Sequence, residues 1–436
     1  MGWTDLGSAH FLDHQLIDPF AGPGRAMLAF VAIFAIINHL ANPLDNGLVR
    51  TPPMGWMSWT AFYCETDCEK HPDACINEKL YQTMGDRLVQ DGFLEVGYNR
   101  IHIDDCWMEK SRNEKGRLVA NRTRFPSGMK SLSKYMHDRG LQLGIYEDFG
   151  TETCEKYPGS LNHIKEDAET FASWDIDYLK LDGCNVNVSL MPTGYPKMER
   201  ALNKTGRPIV YACGWPFFFY LAGKKDQVNF TAVREACNSW RIYDDVVGNW
   251  DSIESIIRFV DANQDVLADA QRPGGWNDPD MLVVGLPNVT ADQARVQMTL
   301  WSMWSAPLIM SNDLRTLKPE AKKILTNRDV IAIDQDPLGI MGKLVAKRVD
   351  NVNIYVKPVT PVVDGKYSYA VAVINMNRKQ AKAFYFTLDS LGLSNQNGYQ
   401  FRDLWTGEDR GRIRTSETIR VKMRPTSALM LKLTID

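Results

Sequence analysis

The strongest restriction on the fold is a repeating alternation. From about residue 50 to 335, short apolar runs alternate with amphipathic stretches. Runs suited to strands lie at 54–59, 100–104, 141–146, 178–182, 209–213 and 308–311, with weaker ones at 236–241 and 276–284. Helical spacing fills the gaps. Leu80, Met84 and Leu88 recur every four residues within 78–91. Ile253, Ile256, Ile257 and Val260 share one face of 251–265, with Asp251 near its start. Residues 291–304 are apolar over much of their circumference and predict a buried helix. Eight strand–helix units in about 285 residues match the rhythm of a (β/α)8 barrel, with a doubly wound sheet as the alternative.

The strand ends favour the barrel. Acidic residues recur there: Asp104 and Asp105, Glu147 and Asp148, Asp182, Asp244 and Asp245, Asp278 and Asp280. A barrel gathers its strand ends at one mouth, where active sites lie, whereas an open sheet spreads them along a line. The run Asp-Tyr-Leu-Lys-Leu-Asp-Gly-Cys at 177–184 is the most pointed of them. Two-residue spacing puts Lys180 and Asp182 on one face of a strand. By itself that reads equally as a strand-end salt bridge or as part of a site. His102 lies on a strand and reads as a buried structural residue.

After Asp336-Pro337-Leu338-Gly339 the character changes. Stretches 351–357, 367–375, 382–388 and 418–433 are rich in Val, Ile, Tyr and Phe, and turns such as Asp364-Gly365 separate them. Residues 338–436 therefore predict an antiparallel β-sandwich domain following a barrel at 44–337. No catalytic cluster is visible in the second domain.

The N-terminus and the cysteines address the compartment. Residues 26–37 are apolar without interruption and follow Arg25. That length suits a signal-peptide core better than a membrane span. The expectation is a signal peptide at 27–41, with 1–26 as an upstream extension and Met27 as an alternative start. No other apolar run is long enough to span, so no stable membrane insertion is expected. All eight cysteines precede residue 240. An even count behind a signal segment implies disulfides, with 105 connectivities open. Five Asn-x-Ser/Thr sequons, at Asn121, Asn187, Asn203, Asn229 and Asn288, fit a glycosylated export. A net charge of −3 offers no basic footprint for nucleic acid.

Carboxylates around a barrel mouth can bind a metal, hold sugar hydroxyls, or form a general acid/nucleophile pair. Asn277-Asp278-Pro279-Asp280 superficially resembles the short Asp-x-Asp metal motif of nucleotide-sugar transferases. Retaining glycoside chemistry needs two facing carboxyls, roughly 5–5.5 Å apart. Trp56, Trp59, Trp107, Trp215, Trp240 and Trp276, each beside a strand-end polar group, favour a sugar site over a metal site. Trp56 and Trp107 read more as core or wall than as stacking platforms.

Six motifs occur in order: Met-Gly-Trp-Met-Ser-Trp (54–59), Ile-Asp-Asp-Cys-Trp (103–107), Gly-Ile-Tyr-Glu-Asp (144–148), Tyr-Leu-Lys-Leu-Asp-Gly-Cys (178–184), Trp-Arg-Ile-Tyr-Asp-Asp (240–245) and Gly-Gly-Trp-Asn-Asp-Pro-Asp-Met (274–281). Together they closely resemble the lysosomal α-galactosidase and α-N-acetylgalactosaminidase family of retaining, melibiase-like glycosidases. The resemblance runs from about Leu44 to the C-terminus. It implies that Asp182 is the nucleophile and Asp245 the acid/base. It implies that Trp59, Asp104, Asp105, Tyr146, Lys180, Arg241 and Asp280 bind the sugar. It also implies the pairs Cys64–Cys106, Cys68–Cys75, Cys154–Cys184 and Cys213–Cys237. A homodimer that needs no cofactor or metal, delivered to the lysosome and acting on terminal α-galactosyl or α-N-acetylgalactosaminyl glycans, completes the expectation.

Physically, Asp182 must be ionised to attack, and Lys180 on the same face is expected to hold it so. Asp245 must first be protonated. Asp244 beside it should face the other way. The chain departs from the family at the loop Cys-x-Trp-Pro-x, which reads the substituent at sugar carbon 2. α-Galactosidases look like Glu and Leu at the two variable positions, and the N-acetylgalactosaminidases like Ser and Ala. Here they are Gly214 and Phe217, which predicts a mixed pocket and activity on both sugars. Two rivals stand beside this reading: a carbohydrate-binding protein on a catalytically dead scaffold, and a metal-dependent glycosyltransferase using Asp278 and Asp280.

Overall fold

The computed structural model describes residues 44, 46–347 and 351–436. The expected upstream extension and signal peptide lie outside the described residues. Eight parallel strands form the first sheet: β1 (Met54–Met57), β2 (Arg100–His102), β3 (Gln142–Asp148), β4 (Tyr178–Asp182), β5 (Val210–Cys213), β6 (Ser239–Arg241), β7 (Trp276–Asp278) and β8 (Leu308–Met310). Their order is β7-β6-β5-β4-β3-β2-β1-β8. The two ends of that order meet just past β7. Leu282 bridges Met310 in parallel, its N–H donating to the Ile309 carbonyl at 2.7 Å while the Ser311 N–H donates to its own carbonyl at 2.9 Å. The sheet closes into a barrel and loses its edges.

The alternation within β4 shows why the barrel forms. Leu179 and Leu181 are fully buried beneath the outer helices, while Tyr178, Lys180 and Asp182 take the opposite face. The expected helices start where polar caps stand. Asn77 accepts from the Leu80 N–H at the head of Glu78–Gln90, and Asn249 accepts from Ser252 at the head of Trp250–Ala270. Thr290 and Gln293 form a capping box for Ala291–Trp304, which is buried almost throughout.

Strand bounds differ from the sequence reading in instructive places. β1 stops before Trp59, which instead opens the helical turn Trp59–Phe62. β6 begins only at Ser239, because Ala236 ends the helix Phe230–Ala236. β7 stops at Asp278: Pro279 has no N–H to give, and Asp280 takes a left-handed φ of 76°. Five of the six tryptophans assigned to the mouth (Trp56, Trp107, Trp215, Trp240, Trp276) are fully buried. Four spend their indole N–H on the barrel itself, as when Trp107 donates to the Tyr146 carbonyl at 2.9 Å. They brace the mouth from behind, and only Trp59 keeps partial exposure.

The second domain comprises β9 (Lys343–Lys347), β10 (Val352–Val363), β11 (Lys366–Asn375), β12 (Lys382–Phe386), β13 (Tyr399–Asp403), β14 (Asp409–Ile413), β15 (Ile419–Met423) and β16 (Ser427–Thr434). A six-stranded antiparallel sheet, β14-β13-β16-β11-β10-β9, and the pair β12-β15 share one apolar core that includes Ile354, Val373, Phe384, Phe386 and Leu431. Asp364 and Gly365, both with positive φ, turn β10 into β11. The stretch 418–433 is two strands, broken at Pro425 and at Thr426, where φ is 44°. Three strands escape the sequence pattern. β9 and β14 are the sheet edges; β14 is mostly exposed, β9 buries no residue fully, and β13 is only five residues long.

The domains are joined by buried polar contacts. Lys357 of β10 is fully buried and donates to the carbonyls of Ser302 and Ile333 and to Ser305 Oγ. No helix among the described residues is long and apolar enough to cross a membrane.

Candidate active site

The barrel ends in a recess lined by Lys180, Asp182, Gly214, Arg241, Asp278 and Asp280, above the aromatic ring of Tyr178. Strand register builds its floor. Lys180 stands opposite Tyr146 on β3 and Ala212 on β5, and Asp182 stands opposite Asp148.

Asp182 is fastened on several sides. Its carbonyl accepts from the Phe149 N–H at 3.0 Å and from the Tyr195 hydroxyl at 2.7 Å. Its carboxylate accepts from the Gly183 N–H at 3.2 Å. The following turn is held by the Cys184 N–H, which donates to Asp148 at 2.8 Å, and by a disulfide from Cys184 to Cys154. Further disulfides join Cys64 to Cys106, Cys68 to Cys75 and Cys213 to Cys237, so no cysteine is free.

Lys180 does not take the partner expected from its strand. Its ammonium bonds to Asp104 at 2.8 Å, with only 3 % of the Asp104 side chain exposed. Burial pushes the Asp182 carboxyl above the ordinary carboxylate range, and Lys180, acting from a distance, offsets this only in part. Lys180 itself is held charged, because Asp104 and Asp182 outweigh the cost of its burial.

Asp245 is arranged differently. Half of its side chain is exposed, and Arg241 Nη2 donates to it at 2.8 Å. Burial of the surrounding site raises its carboxyl, but Arg241 and then Lys180 prevail and hold it below the ordinary range. Asp244 turns back to accept the Asp245 N–H at 2.8 Å and faces solvent. Arg241 is 8 % exposed and also reaches Asp280 at 3.4 Å. Asp280 accepts the Val246 N–H at 2.7 Å, which ties β7 to the loop bearing Asp245. Burial pushes Asp280 up to about 6 despite Arg241. Asp278 accepts the Asp280 N–H at 2.8 Å. The pair read from sequence as a metal motif thus serves Arg241 and the backbone.

Asp105, Tyr146, Phe217 and Gly214 lie among the groups already described. Asp105 is 1 % exposed and accepts the N–H groups of Cys106 and Glu155; burial pushes it up to about 6. Tyr146 is equally buried, with its ring 5.1 Å from the Lys180 ammonium. Phe217 lies buried beneath Arg241, whose guanidinium carbon is 5.4 Å from its ring centre, while Gly214 lines the recess. His102 is buried, and burial holds it neutral, down to about 3. Sequence reasoning missed Tyr195, whose hydroxyl holds the Asp182 carbonyl and which carried no signal, and it marked Asp148 only as one of the strand-end acids, without its bond to the Cys184 N–H.

Four sequons, at Asn187, Asn203, Asn229 and Asn288, are exposed; Asn121 is half-buried, and its amide donates to Glu109.

Comparison with known proteins meets this geometry at both domains. Residues 51–336 match the family described as Alpha galactosidase A, and residues 349–433 match the Alpha galactosidase C-terminal beta sandwich domain. The chain is 45% identical over 390 residues to alpha-N-acetylgalactosaminidase of Gallus gallus, covering 89% of this chain and 94% of that protein. It is 40% identical over 432 residues to alpha-galactosidase A of Homo sapiens, covering 96% and 99%. Among solved structures, alpha-galactosidase I from Mortierella vinacea superposes with a TM-score of 0.78 at 29% identity, covering 89% of this chain and 98% of that one. The chain therefore belongs to the α-galactosidase family of glycoside hydrolases, a family that joins its α-galactosidase and α-N-acetylgalactosaminidase relatives.

Proposed function

We propose that this glycoside hydrolase removes terminal α-linked galactose and N-acetylgalactosamine by double displacement, with Asp182 as nucleophile and Asp245 as acid/base. One observation carries the assignment. Two carboxyls stand at the end of β4 and in the loop after β6, in the shared field of Lys180 and Arg241, yet in opposite surroundings. In the reaction Asp182 attacks the anomeric carbon while Asp245 gives its proton to the departing oxygen. Water, deprotonated by Asp245, then releases the sugar with retention.

In the free site burial favours the proton on Asp182, whereas catalysis needs it on Asp245. The two carboxyls share a proton as a pair. A sugar seated between them excludes water from Asp245 and takes up the Arg241 hydrogen bonds, which raises Asp245 and frees Asp182. Lys180, Asp104, Arg241 and Asp280 bind the ring hydroxyls, with Trp59, Asp105 and Tyr146 around them. Gly214 and Phe217 read carbon 2, and Gly214 offers no carboxylate to a hydroxyl there.

The test is hydrolysis of p-nitrophenyl α-galactoside and its N-acetylgalactosaminide, with the anomer of the first product followed by NMR. Turnover of both with retention is expected. No turnover of the N-acetyl substrate ends the dual specificity, and an inverted product ends the mechanism.

Paired cysteines and exposed sequons support export through the secretory pathway as a glycoprotein, and the likeness to the animal enzymes motivates the proposal of lysosomal delivery and a homodimer. N-terminal sequencing tests the signal peptide at 27–41, and a mature protein retaining Met1 would sink it. Endoglycosidase treatment and light scattering test the glycans and the dimer.

A further inference from the structure

The helix Met191–Lys204 carries a glycine at 194, although glycine weakens a helix interior relative to alanine. Space explains it. A Cβ there would stand 1.9 Å from Phe149 Cζ and 2.3 Å from Phe149 Cε2, so either the ring or the helix would have to move. The ring is confined: it is 3 % exposed, and its centre lies 5.5 Å from that of Tyr195. The bare α-carbon therefore lets the helix seat against the residue that follows β3. That seating brings the next helical residue, Tyr195, onto the end of β4. Its hydroxyl donates to the Asp182 carbonyl at 2.7 Å, and the Phe149 N–H donates to the same oxygen at 3.0 Å. Tyr195 is itself fully buried. Its ring stacks on Trp215, with 5.9 Å between centres, and its carbonyl accepts from the Tyr211 hydroxyl at 3.4 Å.

We infer that Tyr195 is a positioning residue of the reaction, which holds the backbone of the nucleophile Asp182 from behind the strand end. The inference rests on the glycosidase reading above. The ladder from β4 to β5 ends one residue before the nucleophile, where the Gly214 N–H donates to the Leu181 carbonyl at 2.8 Å. Beyond that point the Asp182 carbonyl depends on Phe149 and Tyr195. A bond to the carbonyl fixes where the side chain starts and leaves the carboxylate free to attack. Small displacements of an attacking group are costly in rate. The groups assigned to the sugar hydroxyls pair with one another, Lys180 with Asp104 and Arg241 with Asp280, and not with Tyr195. Tyr195 should therefore act on the chemical step and leave sugar affinity alone.

Tyr195→Phe tests this, because it removes the hydroxyl and keeps the ring. It should lower kcat/KM by about tenfold on both p-nitrophenyl and dinitrophenyl α-galactosides, since both need the nucleophile and the second needs no acid. The inhibition constant of galactose, which reports sugar binding alone, should stay within about twofold. Gly194→Ala, which must part the helix from Phe149, should show the same split through a different contact. Melting scans record the folding of each variant separately. An unchanged kcat/KM in Tyr195→Phe overturns the inference. So does a rise in the galactose constant that matches the loss of rate, or a loss confined to the p-nitrophenyl substrate. If Tyr195→Phe does not fold, Gly194→Ala carries the same readings. A wild-type protein inert on both galactosides defeats the glycosidase reading instead, whereas an active wild type with an equally active Tyr195→Phe defeats only the positioning role.

Discussion

Asp182 at the end of β4 lines the recess, Asp245 in the stretch after β6 stands on Arg241 beside it, and the two carboxyls are held by opposite means. Asp182 ends a central strand, with its carbonyl bound twice and a disulfide across the next turn. Asp245 lies in a loop, half exposed, and Arg241 Nη2 bonds its carboxylate. A nucleophile must meet one carbon along one line, so fixing it lowers the barrier. A group that gives up a proton and takes one back needs a path to water and a tunable charge neighbour. The difference separates geometric control from control of protonation.

The harshest way to break this comparison is to remove each carboxylate in turn. Asp182→Asn should lower kcat/KM by about 10⁴-fold or more on every leaving group, since no covalent intermediate can form. Retained hydrolysis would mean that the nucleophile lies elsewhere. Asp245→Asn should cost about 10²- to 10⁴-fold on an alkyl galactoside and far less on a dinitrophenyl one, whose leaving group needs no proton. An equal loss on both would deny Asp245 the acid role.

Arg241→Gln sharpens the contrast through pH. Arg241 lowers both carboxyls but bonds only Asp245. Its removal favours the neutral forms, so both limbs of the kcat/KM profile should move to higher pH. The basic limb should move further, by about one unit. A profile shifted to lower pH would contradict the ordering.

The smallest expected effect concerns stability. Asp105 and Asp280 have folded values near 6, above the ordinary carboxylate value. Groups raised in this way contribute stability that is fully present below the unfolded value and is lost as pH rises through about 6. Asp245, held low, contributes in the opposite sense, and its share is lost only as pH falls below the ordinary carboxylate value. The protein should therefore melt at a higher temperature at pH 5 than at pH 7. Asp105→Asn keeps an acceptor for Cys106 and Glu155, and should shrink that difference by on the order of a few degrees. An unchanged difference would remove Asp105 from the account.

The barrel was legible because its strands are buried on both sides and its helices on one, so burial writes a period into the residues. The β-sandwich was legible only in its middle. Edge strand β14 faces solvent and edge strand β9 is nowhere fully buried, so neither writes a strong apolar pattern. Within the site, Asp182 and Asp245 stood out through their motifs, but the environment of each did not. Lys180 does favour the charged form of Asp182, as its shared face suggests, but its bond to Asp104 was not legible, because strand spacing does not show which neighbouring strand supplies the closer carboxylate. Trp56 and Trp107 are buried as read, whereas Trp215, Trp240 and Trp276 were overread, since proximity to a strand end does not distinguish the mouth of a barrel from the layer behind it.

Sequence alone thus determined the barrel and the β domain after it, because these depend on patterns local to the chain, and a family resemblance singled out the two carboxyls proposed as nucleophile and acid/base. Tertiary structure decided the charge state of each carboxyl and the space beside them. Both depend on residues far apart in sequence: Asp104 with Lys180, Arg241 with Asp280, and Gly183 with Phe218. Electrostatic energy and steric exclusion follow distance in space, and only the closed barrel sets those distances.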